Sequence, residues 1–435
     1  MKLYKEFLKT ANCFPHNKAI SDSKQEFTYS ELIQKINFYI KNINDVPHSC
    51  GVIYLPKCAD LVAIQLALNA KNIAFLTLEW EQEKRKNECI EQSKPSVLIT
   101  LVNDKIEIIH FDNFKTYPKD TGYIVFSSGS TGTPKQIWMK DYPIIDVVKQ
   151  QAKIISFTEQ SVFLWLLNSA FDASLSDIYV ALLSGGHLIA TQNNALDMNK
   201  NIELISKYKI THSDIPPIVF PIWLKKFKQN KIPASFKHVI FGGELANEGI
   251  VKDLLSFISL YNAYGPTETT ICASMCKVDK TWNNKDVGIA LKGVIFEIVD
   301  GELHIGGDHC AIGYNIDNLN KKFYVNEHGI KWFRTSDIFE KKEDHYFYIG
   351  RKDRQFKHNG QLICPEEIES KAKEHGAENA QIVYKDSRIT LHYTGNLNKE
   401  NFENNIVSWM KPHIYKEIQE ITSNVNQNWK LKINE

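Results

Sequence analysis

The chain has 435 residues, enough for two or three structural units of ordinary size. Hydrophobic residues make up 43% and charged residues 24%, a globular mixture that excludes a disordered or collagen-like chain. Lysine and arginine total 52 against 51 aspartate and glutamate residues, so the overall charge gives no reason to expect a nucleic-acid or anionic-membrane partner.

Targeting and cysteine signals are weak. No apolar run reaches the roughly 18 to 20 residues that span a bilayer, and the first residues lack the apolar core of a signal peptide, so we expect a cytoplasmic protein. Eight cysteines are too sparse for a disulfide scaffold. Cys272 and Cys276, four residues apart, would supply only half of a metal site.

Short apolar runs alternate with helix-like stretches, a pattern typical of an α/β protein with a mostly parallel sheet. Four predicted strands end at polar or glycine-rich segments, and they are residues 123–126, 209–213, 239–241 and 260–262. Open α/β sheets bind ligands at the carboxyl ends of their strands, so we expect the site there.

One helix is predicted over residues 174–184, where apolar residues recur at helical spacing before two glycines. Asp172 lies just ahead of it, and the simplest role of such a residue is to cap the helix or to complement the helix dipole. After residue 353 the composition shifts toward Lys, Glu and Asn, over a length that suits a small second domain.

The loop after the first predicted strand, residues 127–135, combines glycines, hydroxyl groups and the cation of Lys135, which together suit a polyphosphate. It is not a Walker A motif, because Pro134 precedes the lysine and Gln136 follows it. Taken alone, the loop fits a structural turn without a ligand equally well.

The loop at residues 127–135 is one of several sequence segments that resemble known motifs. Residues 126–135, 262–268, 333–337 and 350–357, in this order, together with residues 27–32 and 301–307, resemble the motif series of the adenylate-forming superfamily. The similarity is closest to the adenylation domains of nonribosomal peptide synthetases and to D-alanine:carrier-protein ligases, and it covers nearly the whole chain.

This resemblance implies an α/β fold with two domains. Residues 1–352 would form a large N-terminal domain of mostly parallel sheets packed with helices, holding the ATP and amino-acid sites. Residues 353–435 would form a small, mobile α+β lid, with Asp353 at the hinge.

The resemblance also implies roles for individual residues around ATP and Mg²⁺. Tyr264 would stack on adenine, and Glu268 would bind the magnesium ion. Residues 335–337 read Thr-Ser-Asp where the family usually has Thr-Gly-Asp, a departure that leaves Asp337 in register. The implied nucleotide-binding residues are Ser127, Ser128, Gly129, Ser130, Thr131, Gly132 and Lys135 at the phosphates, Asp337 and Arg351 at the ribose, and Gly243, Glu244, Asn262, Tyr264, Gly265 and Thr267 elsewhere along the nucleotide.

The catalytic lysine of the family is the least certain assignment. Lys430 keeps an asparagine two places before it, whereas Lys432 keeps the apolar residue and amide after it, and we prefer Lys430. A lysine suits the position because its compact ammonium can bridge the substrate carboxylate and the α-phosphate.

The amino-acid pocket follows from the same resemblance. Its implied residues are Phe171, Asp172, Ser176, Asp214, Ile240, Gly242, Ala263, Ile271 and Cys272. Asp172 would pair with the α-amino group of the substrate. Enzymes that activate aryl or fatty acids generally lack this acidic residue. Asp214 favours a basic or hydroxylated side chain; if it instead caps the helix that begins at Pro216 and Pro217, a small substrate such as D-alanine remains open.

The resemblance therefore implies a freestanding enzyme that makes an aminoacyl-AMP from an amino acid and Mg-ATP, releases pyrophosphate, and transfers the acyl group to the phosphopantetheine thiol of a separate carrier protein. Two alternatives stay open at this stage. One is an aryl- or acyl-CoA ligase of the same superfamily, and the other is a nucleotide-binding homologue without catalysis.

Overall fold

The computed structural model describes residues 2–80, 82–127 and 135–418. They form two compact units. The first contains the described residues up to Val125 and those from Gln136 to Ile349, and the second contains Phe126, Ser127, Lys135 and the described residues from Gly350 onward. The predicted domain boundary and hinge at Asp353 stay predictions.

The helices occupy both units. They are α1 (Lys2–Cys13), α2 (Tyr29–Asn42), α3 (Ala59–Ala70), α4 (Glu83–Ser93), α5 (Tyr142–Ile154), α6 (Ser174–Leu182), α7 (Met198–Tyr208), α8 (Phe220–Lys228), α9 (Glu248–Leu254), α10 (Pro365–Glu374) and α11 (Lys399–Asn404).

The strands alternate with these helices through most of the first unit. They are β1 (Lys18–Ser21), β2 (Glu26–Thr28), β3 (Cys50–Tyr54), β4 (Ala74–Thr77), β5 (Val97–Val102), β6 (Lys105–His110), β7 (Tyr123–Ser127), β8 (Lys135–Met139), β9 (Val162–Trp165), β10 (His187–Ala190), β11 (His212–Asp214), β12 (His238–Gly242), β13 (Ser259–Tyr264), β14 (Ser274–Lys277), β15 (Asp286–Gly288), β16 (Ile295–Val299), β17 (Glu302–Gly306), β18 (Gly313–Tyr314), β19 (Phe323–Val325), β20 (Lys331–Lys342), β21 (His345–Arg351), β22 (Phe356–His358), β23 (Gln361–Ile363), β24 (Ala377–Lys385), β25 (Arg388–Gly395) and β26 (Ile414–Glu417).

Two of the sheets are mostly parallel, as the alternation of apolar runs and helices predicts. One has eight strands in the order β14-β13-β12-β11-β9-β10-β1-β2, in which only the edge strands β14 and β2 run antiparallel to their neighbours. The other has seven strands in the order β18-β8-β7-β4-β3-β5-β6. Strands such as β3 are buried along their whole length, because helices cover both faces of a parallel sheet.

The third sheet of the first unit is antiparallel in the strand pairs β15–β21, β16–β17, β17–β20 and β19–β20. The mixed α/β fold predicted from the sequence is thus confirmed. One predicted strand is displaced: β11 begins at His212 and not at residue 209, because Lys209 takes a left-handed conformation with φ 54° that ends α7.

Helix α3 is almost completely buried. Ten of its twelve residues are buried, as expected for a helix that is apolar on all sides. Helix α2 begins with a capping box, in which the Thr28 hydroxyl accepts a hydrogen bond from the Glu31 N–H and the Glu31 carboxylate accepts one from the Thr28 N–H.

The second unit is α+β. Its three-stranded sheet pairs β24 and β25 antiparallel and β25 and β26 parallel, and β22 and β23 form a hairpin. The core includes Ile363, Ile368, Leu391 and Phe402. In the described ranges, no helix combines the length and apolar character needed to pass through a membrane.

Candidate active site

The carboxyl ends of three neighbouring parallel strands bring four predicted pocket residues side by side. Asp214 on β11 pairs with Ile240 on β12, and Gly242 on β12 pairs with Ala263 on β13. A Cβ atom on Gly242 would lie 2.2 Å from the carbonyl oxygen of Ala263, so a larger residue would push the two strands apart. These four residues come from separate stretches of the sequence, and the fold places them at the same end of the sheet.

The loop after β13 folds back tightly on itself. The N–H of Ala273 donates to the carbonyl of Tyr264 at 2.7 Å, and a Cβ atom on Gly265 would lie 2.7 Å from the Cα atom of Cys272. Ile271 has a φ of 61°, an uncommon value for a β-branched residue. This fold-back brings the predicted pocket residues Ile271 and Cys272 against the predicted nucleotide motif.

Glu268 lies in the same loop, in a short 3-10 helix, Thr267–Thr269. Its carboxylate is buried and accepts a hydrogen bond of 2.5 Å from the hydroxyl of Tyr314 on β18. The described residues contain no group of three or more metal-ligating side chains, so they would contribute at most two such side chains, Glu268 among them, to a cation. That donor set fits Mg²⁺, which binds through one or two carboxylates plus phosphate oxygens.

Tyr314 was not predicted. It lies 46 residues beyond Glu268 in sequence, and nothing in the local pattern around it suggested a polar role.

Asp337 lies on β20, buried, and accepts a hydrogen bond of 2.7 Å from the hydroxyl of Tyr264. The Tyr264 ring packs against Phe339 with centroids 5.1 Å apart. The residue predicted to stack on adenine and the residue predicted to bind the ribose are therefore in direct contact.

The backbone conformation of Ser336, the residue before Asp337, explains why the family commonly has glycine at position 336. Ser336 has a φ of 64°, in the left-handed region where glycine is favoured. Its N–H donates to a carboxylate oxygen of Glu302 at 2.8 Å, and its hydroxyl accepts from the Lys322 ammonium at 3.3 Å. These contacts hold the serine in a conformation that is unfavourable for residues other than glycine.

In the second unit, Arg351 forms a two-point ion pair with the predicted hinge residue. Its Nε atom donates to Asp353 Oδ1 at 2.8 Å, and its Nη2 atom donates to Asp353 Oδ2 at 3.0 Å. Nη2 also donates to the side-chain oxygen of Gln355 at 3.2 Å. The guanidinium predicted to contact the ribose and phosphates is thus bonded to a carboxylate in this structure.

Phe171 and Asp172 lie in the turn before α6. The N-terminal cap of this helix is Ala173, without a side-chain cap, so the prediction that Asp172 is the N-cap is wrong, and its role toward the helix dipole stays a prediction. One carboxylate oxygen of Asp172 accepts from the Ala173 N–H at 2.9 Å, and the other is buried. Hydrogen bonding from the Thr267 side chain and the Ile271 N–H lowers the pKa of this carboxyl group against the effect of burial. Burial raises the pKa of Asp172 to about 6, and the nearby Glu268 adds to the rise.

Asp214 does not cap the helix that follows it. The N–H of Ile218 in the 3-10 helix Pro217–Val219 donates instead to the carboxylate of Glu244 at 3.2 Å. Asp177 on α6, a residue that the sequence did not single out, is a second buried acid, and burial raises the pKa of both carboxyl groups.

Two other predicted pocket residues are joined by a third that sequence reasoning missed. The Ser176 hydroxyl donates to the side-chain oxygen of Gln151 at 3.0 Å, and the Gln151 amide donates to the Cys272 sulfur at 3.3 Å. Gln151 is buried on α5. A glutamine on the apolar face of a predicted helix could have pointed to Gln151, because a buried amide requires polar partners.

The remaining predicted residues are spread along the chain. Gly243 has a φ of 80°, and the Asn262 side chain donates to the carbonyl of Asp286 at 2.8 Å. Ser127 ends β7 and Lys135 begins β8. The other predicted phosphate-loop residues, Ser128, Gly129, Ser130, Thr131 and Gly132, lie outside the described residues, as do Lys430 and Lys432.

Sequence comparison gives matches to known proteins. Residues 110–315 match the family of AMP-binding enzymes. Bacitracin synthase 1 of Bacillus licheniformis is 28% identical over 426 residues, a match that covers 88% of this chain and 8% of that protein. The chain therefore spans only a small part of this relative.

Two solved structures have the same fold. Holo-PA1221, a nonribosomal peptide synthetase protein with adenylation and carrier domains, has a TM-score of 0.86 at 20% identity and covers 99% of this chain and 83% of its own. The o-succinylbenzoate CoA synthetase of Bacillus subtilis has a TM-score of 0.81 at 17% identity and covers 98% and 97%. The chain thus contains a segment that matches the AMP-binding enzymes, and it is similar in sequence and in fold to proteins of nonribosomal peptide synthesis.

Proposed function

We propose that this protein activates an amino acid with ATP, forming an aminoacyl-AMP and releasing pyrophosphate, and then transfers the acyl group to the phosphopantetheine thiol of a separate carrier protein. In the first step a carboxylate oxygen of the substrate attacks the α-phosphorus, an acyl–O–P bond forms, and pyrophosphate leaves. In the second step the thiol loses its proton, its sulfur attacks the acyl carbonyl, and AMP leaves.

Asp172 carries the proposal of an amino acid as substrate. Burial raises the pKa of its carboxyl group to about 6 in spite of the hydrogen bonds that it receives, so the ionised form is costly without an opposite charge. An α-ammonium group would supply that charge together with further N–H donors. Aryl and fatty acids have no group that would do so.

Glu268 and Asp337 would act on the nucleotide. A magnesium ion held by Glu268 would neutralise phosphate charge, and Tyr314 fixes that carboxylate through its short hydrogen bond. Asp337 would accept hydrogen bonds from the ribose hydroxyls, oriented by the hydroxyl of Tyr264. Lys430, or failing it Lys432, would bring an ammonium to the reacting oxygens.

Asp214 supports a basic side chain in the substrate over a small one. The alternative in which this carboxylate caps the following helix, which left a D-alanine-like substrate open, is not supported, since Glu244 takes that hydrogen bond. A carboxylate at the end of β11 is then available for a cationic group.

A coenzyme A ligase is the second candidate, and the fold match to o-succinylbenzoate CoA synthetase is the observation in its favour. The first experiment is ATP–pyrophosphate exchange with a panel of amino acids of both enantiomers, aryl acids and fatty acids. We expect exchange with amino acids, and exchange with aryl or fatty acids alone would overturn the proposal.

Two further measurements sharpen this test. Asp172→Asn should raise the KM for the amino acid by roughly 10-fold or more, with no comparable rise for the matching des-amino acid. The exposed Asp253 provides a matched control, since Asp253→Asn should leave the KM unchanged. Supplying coenzyme A or a phosphopantetheinylated carrier protein to the preformed adenylate then identifies the acceptor.

A further inference from the structure

Asp337, the residue predicted to bind the ribose, lies in a bulge of strand β20. The paired residues on either side of the bulge are Glu302 with Ile338 and His304 with Arg334. The single β17 residue between these pairs, Leu303, therefore lies opposite three residues of β20, 335–337. A bulge interrupts the ladder of backbone hydrogen bonds and often re-aims a side chain beside an active site. Its geometry therefore decides where the Asp337 carboxylate lies.

Two side chains hold the backbone of this bulge. The carboxylate of Glu302 accepts a hydrogen bond of 2.8 Å from the N–H of Ser336. The Thr335 hydroxyl donates to the carbonyl of Leu303 at 2.7 Å and accepts from the Asp337 N–H at 2.9 Å. Glu302 thus acts on the residue directly before the predicted ribose ligand.

Ser336 needs this support because its backbone lies in the left-handed region, with a φ of 64°. A residue other than glycine stays in that region only where its surroundings impose the conformation. Glu302 holds the N–H of Ser336, and the Lys322 ammonium donates to its hydroxyl at 3.3 Å. In this chain, side-chain contacts therefore maintain a conformation that glycine adopts readily.

The position of Glu302 suits it to this task. Its side chain is buried, so water competes little for the hydrogen bond to Ser336. A hydrogen bond to a charged carboxylate is also stronger than one between neutral groups. Glu302 lies on β17, between β20 and β16 in the sheet, and a strand inside a sheet is a more rigid support than a loop.

We propose that Glu302 is a positioning residue for nucleotide recognition, which fixes the bulge through the Ser336 N–H and so holds the Asp337 carboxylate at the ribose hydroxyls. The inference rests on the nucleotide role given to Asp337 in the proposed function, and it adds a residue to that role. Glu302 acts through the backbone, whereas Tyr264 orients the Asp337 carboxylate directly through its 2.7 Å hydrogen bond.

Selectivity for the sugar follows from this arrangement. A fixed carboxylate that accepts from the ribose hydroxyls rejects a nucleotide that lacks one of them, because a buried acceptor then loses its partner. A carboxylate displaced by about 1 Å loses much of this discrimination. The preference for ATP over 2′-deoxy-ATP therefore reports the position of Asp337. A loss of global stability alone lowers the folded fraction without changing that preference.

The test is the ratio of the dissociation constants for 2′-deoxy-ATP and ATP, measured by titration calorimetry of the whole 435-residue chain with magnesium present. Wild type should bind ATP roughly 10- to 100-fold more tightly than 2′-deoxy-ATP. Glu302→Leu, which cannot accept from the Ser336 N–H, should lower this ratio roughly 10-fold.

Two milder variants separate the hydrogen bond from the charge. Glu302→Gln keeps the length of the side chain and an accepting oxygen, so its ratio should stay within about 3-fold of wild type. Glu302→Asp keeps the charge but is one methylene shorter, so its carboxylate should not reach the Ser336 N–H and its ratio should fall as in Glu302→Leu. If Glu302→Leu does not fold, the contrast between Glu302→Gln and Glu302→Asp decides the question.

Glu297 provides the matched control, since it is exposed on the neighbouring strand β16, and Glu297→Leu should keep the wild-type ratio. The inference fails if Glu302→Leu or Glu302→Asp keeps the wild-type ratio, or if Glu302→Gln loses it as fully as Glu302→Leu. A wild-type protein that binds the two nucleotides equally would refute the inference, while pyrophosphate exchange with amino acids would still uphold the proposed function. Binding of neither nucleotide would refute both.

Discussion

The hydroxyl of Tyr264 donates a 2.7 Å hydrogen bond to the carboxylate of Asp337, although the two residues lie 73 positions apart in the chain. Both side chains are buried, so this bond orients a carboxylate that has little access to water. It links the loop after β13 to the antiparallel sheet that carries Asp337.

We expect Tyr264→Phe to lower the free energy of unfolding by about 1.5 to 3 kcal/mol, the range for a hydrogen bond to a charged group. The KM for ATP should rise as well, because Asp337 loses the group that orients it. Chemical denaturation and exchange kinetics measure the two effects.

Tyr346→Phe is the matched control for that substitution. The Tyr346 hydroxyl donates to a neutral acceptor, the carbonyl of Phe296, at 3.3 Å, so its loss should cost about 0.5 to 1.5 kcal/mol. Equal costs for the two variants would contradict a special role for the Tyr264 bond.

Ser336→Gly should stabilise the protein by up to about 1 kcal/mol, because it relieves a non-glycine residue at φ 64°. The gain is reduced by the greater chain entropy of glycine in the unfolded state and by loss of the Lys322 contact. Thermal unfolding measures the change.

Ser256→Gly provides the comparison, since Ser256 is exposed and is not among the residues with positive φ. This variant should be neutral or less stable by about 0.5 to 1 kcal/mol. A destabilised Ser336→Gly protein would show that the serine contacts outweigh the backbone strain.

The buried Asp214 makes stability depend on pH. Burial raises the pKa of Asp214 to about 7, against an ordinary value of 3.8 in the unfolded chain. Between these values the folded state binds more protons than the unfolded state, so stability is highest below pH 4 with respect to this group and falls as the pH rises toward 7.

Replacing Asp214 should remove this decrease in stability with rising pH. Denaturation of Asp214→Asn between pH 4 and 8 should give a flatter stability profile than wild type, with the variant gaining relative stability at the upper end. Parallel profiles for the two proteins would mean that Asp214 titrates normally.

Glu268→Gln should raise the magnesium concentration that gives half-maximal pyrophosphate exchange by roughly 10-fold or more, because an amide is a much poorer ligand than a carboxylate for a hard cation. Tyr314→Phe should have a smaller effect in the same direction, since it removes only the hydrogen bond that fixes Glu268. An unchanged magnesium dependence in Glu268→Gln would remove this residue from the proposed metal site.

Much of the fold could be predicted because periodicity and apolar runs are local properties. Helix α6 lies within the predicted range of residues 174–184, and β7, β12 and β13 include the predicted runs. The start of β11 could not be predicted, since the left-handed Lys209 that delays it has no marker in sequence. Glycine or asparagine usually occupies that position at a helix end.

The sequence by itself determined the superfamily resemblance, the α/β class and the residue types of the nucleotide motifs, because these depend on order and spacing along the chain. Only the tertiary structure decided the hydrogen-bond partners: Tyr314 bonds to Glu268, Tyr264 bonds to Asp337, and Ser176 bonds to Gln151. Such pairs join residues from different elements, and the cost of burying a charge is set by the neighbours that folding provides. No local pattern records those neighbours, so Asp214 fits a helix cap in the sequence but is a buried carboxyl group with a raised pKa in the folded chain.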